Sequence, residues 1–215
     1  MDRVLSEHEQ LFFNDGYQLG QKAAKNGYRE EDLFQALKQQ YKAIDQLIDS
    51  IAMVAKQQDM PIHCQKGCSY CCHQAVFANS YELHYLGHFM QQTLPKEEIQ
   101  HVYDTARTKN QTTSKLEEQT MLNYKSPCPL LKDNACSVYE ARPMACRIYL
   151  STKLSTCREF YQNPENEDNY PALLDFPLMA GRMMNEGFMA ALKEKDIEIA
   201  EFRMEEGLQN LLAPR

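Results

Sequence analysis

Residues 30–58 read EEDLFQALKQQYKAIDQLIDSIAMVAKQQ, and the apolar positions Leu33, Leu37, Tyr41, Ile44, Ile48, Ile51 and Ala55 recur along them in steps of three and four. That spacing lines one face of an α-helix, so the stretch predicts a single long amphipathic helix. Working back, Leu5 to Ala24 is also helix-prone and Asn26-Gly27 supplies a stop, which predicts a helical hairpin over residues 1–60. Working forward, Asn79-Ser80-Tyr81-Glu82 has the form of a capping box and is followed by Leu83, Leu86, Phe89 and Met90 on one side. Pro95 opens a further helix expected to run to about Leu122, since proline is tolerated in a first helical turn. Leu178 to Lys193 predicts a buried helix rich in methionine, and Ile197 to Leu212 an acidic amphipathic one.

Strand signals are sparse, so the expected fold is mainly α. The exception to helical periodicity is Ser126 to Cys157, where Pro127, Pro129 and Pro143 interrupt the pattern and Asp133-Asn134 is the natural turn of one small hairpin. Asn163 to Tyr170 reads as a polar loop. The expected organisation is an N-terminal hairpin over residues 1–60, a cysteine-rich metal-binding module over 61–160, and a C-terminal helical extension over 161–215 packed on it.

Composition narrows the function. Hydrophobic content of 43% over 215 residues is enough for a packed core. Apolar runs such as Ile51 to Ala55 fall far short of the roughly 18 residues that a membrane span needs. The first ten residues carry Asp2, Arg3, Glu7 and Glu9 where an export signal would be apolar, so a cytoplasmic location is expected. A net charge of −7 argues against nucleic acid as a partner. No Gly-rich phosphate loop or nucleophile elbow is present.

Eight cysteines need an explanation. Cys64, Cys68, Cys71 and Cys72 place four thiols within nine residues in a C-x3-C-x2-C-C run, and Cys128, Cys136, Cys146 and Cys157 follow in the irregular segment. A reducing compartment disfavours disulfides, and thiolates prefer zinc, copper(I) or iron–sulfur clusters over hard cations. Gly67 lets the backbone turn tightly between ligands. Adjacent Cys71 and Cys72 point in different directions, so they are not expected to bind one ion together. The bland alternative, a small buried hydrophobe, weighs most for Cys72 and Cys157.

Local charge agrees with a metal. Residues 61–75 hold Lys66 and no acid, and residues 125–159 hold Lys125, Lys132, Arg142, Arg147, Lys153 and Arg158 against Asp133, Glu140 and Glu159. A thiolate-rich centre is anionic, and nearby cations lower thiol pKa values. Arg142 and Arg147, which bracket Cys146, are the expected cations around such a cofactor.

The C-x3-C-x2-C-C run, together with Cys128-Pro129-Leu130-Leu131, Cys136-Ser137-Val138-Tyr139-Glu140 and Arg142-Pro143-Met144-Ala145-Cys146-Arg147, resembles the YkgJ-type cysteine-cluster family over about residues 61–157. The resemblance implies a zinc- or iron-chelating domain with eight cysteines, Cys157 being the eighth. A related cluster occurs in flagellin lysine methylases, so the resemblance also admits an enzyme.

Structural zinc sites commonly pair two C-x2-C knuckles, and only Cys68 to Cys71 has that form. Three closely spaced thiols with one distant cysteine suit a four-iron cluster somewhat better. The same spacing matches a radical S-adenosylmethionine signature, but the alternating strands and helices of the usual partial barrel are missing from the sequence pattern. His63 and His73 flank the first cluster as substitute ligands. His84 and His88 have metal-ligand spacing but fall opposite Leu83, Leu86 and Met90, which assigns them to solvent. Met179, Met183, Met184 and Met189 read as helix core. The expected function is a metal-binding protein that coordinates an iron–sulfur cluster, 4Fe–4S by preference, or zinc in a structural or electron-carrying role. The alternative is a metal-dependent enzyme that modifies a protein or small molecule, for example an iron–sulfur methylase.

Overall fold

A computed structural model of the chain describes residues 4–59, 62–166 and 169–213. In chain order the helices are α1 (Glu7–Ala24), α2 (Glu30–Gln57), α3 (Ser80–Thr93), α4 (Lys96–Thr113), α5 (Glu118–Asn123), α6 (Met144–Arg147), α7 (Leu154–Gln162), α8 (Asp175–Lys193) and α9 (Met204–Leu212). The strands are β1 (Phe77–Asn79), β2 (Leu131–Lys132), β3 (Ala135–Cys136) and β4 (Glu201–Arg203), with 3-10 turns at Tyr70–His73 and Tyr139–Ala141. The protein is therefore mainly α. It forms two compact units, each assembled from three separated stretches of chain.

The first unit comprises Met1–Pro61, Met144–Leu150 and Leu173–Ala200. Its α1 begins at a capping box, with the Ser6 Oγ accepting the Glu9 N–H at 3.3 Å and the Glu9 carboxylate accepting the Ser6 N–H at 2.8 Å. Helix α1 packs along α8. A Cβ at Gly16 would collide with the main chain of Met184, and one at Gly187 with the main chain of Phe13, so glycine is what permits this approach. Glu30, Glu31 and Asp32 sit in the first turn of α2, where carboxylates oppose the positive helix end. Leu33, Phe34, Ala36, Leu37, Tyr41 and Ile44 are buried, but Ile48, Ile51 and Ala55, which continue the same stripe, are only half-buried. The helix is as long as its periodicity predicts, and its second half is less covered.

The second unit comprises Ile62–Pro143, Ser151–Ala172 and Glu201–Arg215. Strands β1 and β4 pair antiparallel, with Phe77 opposite Arg203 and Asn79 opposite Glu201. Asn79 then caps α3 in the box its sequence predicts, its N–H donating to the Glu82 carboxylate at 3.2 Å. Helix α9 packs on α3 and α4 over Leu83, Leu86, Met90, Val102, Ala106, Met204 and Leu208, all buried.

Two helix expectations are corrected here. The helix after Pro95 ends at Thr113 and resumes as α5, because the Thr113 carbonyl accepts from Arg203 Nη1 at 3.2 Å and its hydroxyl donates to buried Glu205 at 2.7 Å. The helix expected over Ile197–Leu212 starts only at Met204, because Glu201–Arg203 is drawn into the ladder with β1; tertiary pairing overrides local periodicity.

Candidate metal centre

The cysteine run is built from two successive tight turns. The Cys68 N–H donates to the Gln65 carbonyl at 3.0 Å across Gly67, whose φ of 100° is open to glycine and costly for other residues. The Cys72 N–H donates to the Ser69 carbonyl at 3.0 Å in the 3-10 turn that follows. Cys64 is anchored at the other end of the run: its Sγ accepts the Ser151 N–H at 3.1 Å, while the His63 N–H donates to the Ser151 carbonyl at 3.3 Å. An N–H aimed at sulfur favours the thiolate.

Cys157 reaches the same neighbourhood from α7, which packs on the Tyr70–His73 turn. Tyr161, one helical turn beyond Cys157 and on the same face, brings its ring centroid to 5.7 Å from that of Tyr70 and 4.9 Å from that of His73. The thiols feel one another. Burial pushes Cys64 up to about 11, opposed by the Ser151 N–H and reinforced by charge on Cys157, Cys71 and Cys68. Cys68 is raised by burial and by the same neighbours, Cys71 and Cys157. Cys71 goes the other way, held below its ordinary value first by a hydrogen bond from Cys72 and further by the Arg142 guanidinium. Arg142 is fixed for this by its hydrogen bond to the Tyr139 carbonyl at 2.8 Å and by stacking 3.8 Å from the Tyr139 ring centroid.

A second group of thiols lies along the continuation of the turn. The Cys128 N–H donates to the Cys72 carbonyl at 2.7 Å and the Ser126 N–H to the His73 carbonyl at 3.0 Å. The hairpin expected at Asp133-Asn134 is present: both residues have positive φ, 49° and 60°, and Cys136 stands opposite Leu131. Its tip meets the cysteine turn, with the Ser69 hydroxyl 3.4 Å from Asn134 Oδ1. Burial pushes Cys128 up to about 12, with charge on Cys136 and Glu205 adding to the rise and Lys109 opposing it.

Cys146 and Arg147 belong to the first unit. Arg147 is buried there, its Nη1 2.5 Å from the Asp45 carboxylate and its guanidinium 4.1 Å from the Tyr41 ring centroid. His63 is exposed, whereas His73, flanking Cys72, has Nδ1 3.0 Å from the Ser69 carbonyl. His84 and His88, expected in solvent, are half-buried on α3, whose opposite sides both receive cover. Met183 and Met184 are buried in α8 as core residues.

All eight cysteines are free thiols, which is the donor chemistry that a soft metal requires. Among the described residues, no three Cys, His, Asp or Glu side chains already stand in a metal-binding arrangement. Sequence spacing gave no sign of Ser151, whose contribution is a main-chain N–H. The position of Tyr161, four residues after Cys157, was a legible signal for how α7 faces the turn.

A family model described as "CxxCxxCC: Putative zinc- or iron-chelating domain" matches residues 63–170, which is half of the chain. Neither a curated protein nor a solved structure matches it.

Proposed function

Because this chain belongs to the CxxCxxCC family of zinc- or iron-chelating domains, we propose that it holds a soft-metal centre on Cys64, Cys68, Cys71 and Cys157. The observation that carries this reading is that α7, the helix bearing Cys157, packs on the Tyr70–His73 turn of the cysteine run, with Tyr161 one helical turn on against Tyr70 and His73. An iron–sulfur cluster is the first choice and zinc the second, since one helical cysteine joined to three in C-x3-C-x2-C spacing lacks the second short knuckle usual for structural zinc. When bound, such a group supplies either a structural cross-link or a site for one-electron transfer.

The chain's own residues do the preparing. Ser151 presents its N–H to Cys64, Cys72 hydrogen-bonds to Cys71, and Arg142 brings positive charge to Cys71. A cytoplasmic location fits this reading, since a reducing compartment keeps thiols available to a metal.

Anaerobic purification, metal analysis and a visible spectrum test this reading. A brown protein with broad absorption near the visible edge that fades in the C64S, C68S, C71S and C157S variants is the expected result. A colourless protein holding zinc in a way that depends on the same four residues selects the second choice. Metal retained by all four variants would reject the assignment.

A further inference from the structure

Residues 126–128 are held by hydrogen bonds of two kinds. Toward the cysteine turn they donate both of their amides, the Ser126 N–H to the His73 carbonyl at 3.0 Å and the Cys128 N–H to the Cys72 carbonyl at 2.7 Å. Their carbonyls meet Lys109 of α4, whose Nζ donates to the Ser126 carbonyl at 3.0 Å and to the Pro127 carbonyl at 3.4 Å. Pro127 and Pro129 fix φ at alternate residues, so this stretch is a stiff strap, and a hold on its carbonyls is carried to its amides.

The Lys109 side chain is only 7% exposed, and the Glu205 carboxylate of α9 stands 3.9 Å from its Nζ. Glu205 is itself buried and fixed by the Thr113 hydroxyl at 2.7 Å. The carboxylate oxygen nearest Lys109 accepts no hydrogen bond, so Lys109 gives its hydrogen bonds to the strap and takes only charge compensation from Glu205. A buried ion pair is weak support for stability, because desolvating two charges offsets much of their attraction. The consequence of this one lies in where it aims the ammonium. Lys109 also acts on the strap's own thiol, since its charge opposes the rise that burial imposes on Cys128.

The strap seats the turn at two points. One is the main chain of Cys72, whose thiol hydrogen-bonds to Cys71; the other is that of His73, whose ring centroid lies 4.9 Å from that of Tyr161 on the helix that carries Cys157. We propose that Lys109, braced by Glu205, is a positioning residue of the metal centre, holding the strap that seats the cysteine turn so that Cys71 is presented to a metal in a fixed geometry. The proposal rests on the metal reading above. It gives the C-terminal helix a part in the centre, since Glu205 lies outside residues 63–170. Supporting groups of this kind act through ligand orientation, and their loss typically weakens metal binding about 10- to 100-fold.

The test uses the full chain with zinc ion as the probe, titrated in competition with a chromophoric chelator, together with hydrogen exchange of individual amides in the metal-free protein. Lys109→Met alone would leave buried Glu205 short of a cation, so the charge-balanced K109M/E205Q pair is the decisive variant and K109R the conservative one. K109M/E205Q should bind zinc about tenfold more weakly. Its Ser126 and Cys128 amides should exchange about tenfold faster, while the amides of α3 in the same unit keep the parent's protection. K109R should recover most of both losses. Zinc affinity equal to the parent's in K109M/E205Q, unchanged exchange at Ser126 and Cys128, an equal rise in exchange throughout α3, or a loss in K109R as large as in the pair would each overturn the positioning role while leaving the metal reading intact. A parent chain that takes up neither zinc nor iron would overturn the metal reading, and this proposal with it.

Discussion

The main-chain N–H of Ser151 points at the sulfur of Cys64 from 3.1 Å, joining the start of the cysteine run to the loop that leads into α7. One hydrogen bond therefore ties the first thiol to the segment that carries the last. A hydrogen bond to a charged acceptor contributes ~1.5–3 kcal/mol, about tenfold or more in affinity for a ligand that needs the thiolate. Ser151→Pro removes the donor, and the expected result is metal retention about tenfold weaker in a chelator competition. Ser151→Ala, which keeps the N–H, should lie much closer to the parent.

Cys71 offers a second check, read in metal-free protein. Its pKa is lowered more by the hydrogen bond from Cys72 than by Arg142. Alkylation of Cys71 at neutral pH, followed by peptide mass spectrometry, should slow in both C72A and R142M, with the larger effect in C72A. Equal rates in all three proteins would remove both residues from the thiol's environment.

Alkaline stability of the metal-free protein should expose the buried thiols. Cys64 and Cys128 have an ordinary value of 9.0 and are pushed by burial to about 11 and about 12. The folded chain then keeps protons that the unfolded chain releases, so the stability these thiols contribute is full below about pH 9 and is lost as pH rises through 11 and 12. Lys125, held at about 8, acts in the opposite sense over its own range, so the difference between C64A and the parent is the quantity to measure. The urea midpoint of the parent should fall more steeply between pH 9 and 11 than that of C64A.

The α1–α8 contact predicts a packing effect far from any cysteine. Alanine in place of Gly187 gains up to ~1 kcal/mol of helix propensity, but its Cβ meets the rigid main chain of Phe13. Overpacking costs ~1–3 kcal/mol when the obstacle is a side chain that can adapt, and backbone adapts less. G187A should therefore be destabilised by about 1 kcal/mol or more in urea unfolding, with metal content unchanged.

Helix positions were legible where local signals acted alone. The α2 stripe, the Asn79 capping box and the Asp133-Asn134 turn all depend on residues within a few positions of one another, and all three form as their sequences predict. What the sequence could not reveal came from distant partners. Glu201–Arg203 has the composition of a helix start, yet it pairs with Phe77–Asn79, and the same Arg203 ends α4 by taking the Thr113 carbonyl. The cysteine run was conspicuous in sequence, whereas its surroundings were not: a main-chain donor at Ser151 and an ammonium at Lys109 that holds the Ser126 carbonyl leave no trace in spacing.

The ladder between Phe77–Asn79 and Glu201–Arg203 has a practical consequence for cutting the protein into parts. A fragment trimmed to the family match at residues 63–170 keeps β1, α3 and α4 but discards β4 and α9. Such a fragment would expose an unpaired strand edge beside the apolar side chains of Leu83, Leu86 and Val102, the combination that drives chains to aggregate. A piece that keeps the cysteine unit's strand pairing and its α9 cover therefore extends through Leu212, so the conspicuous half of the sequence depends on the inconspicuous tail for a closed sheet edge and a covered apolar face.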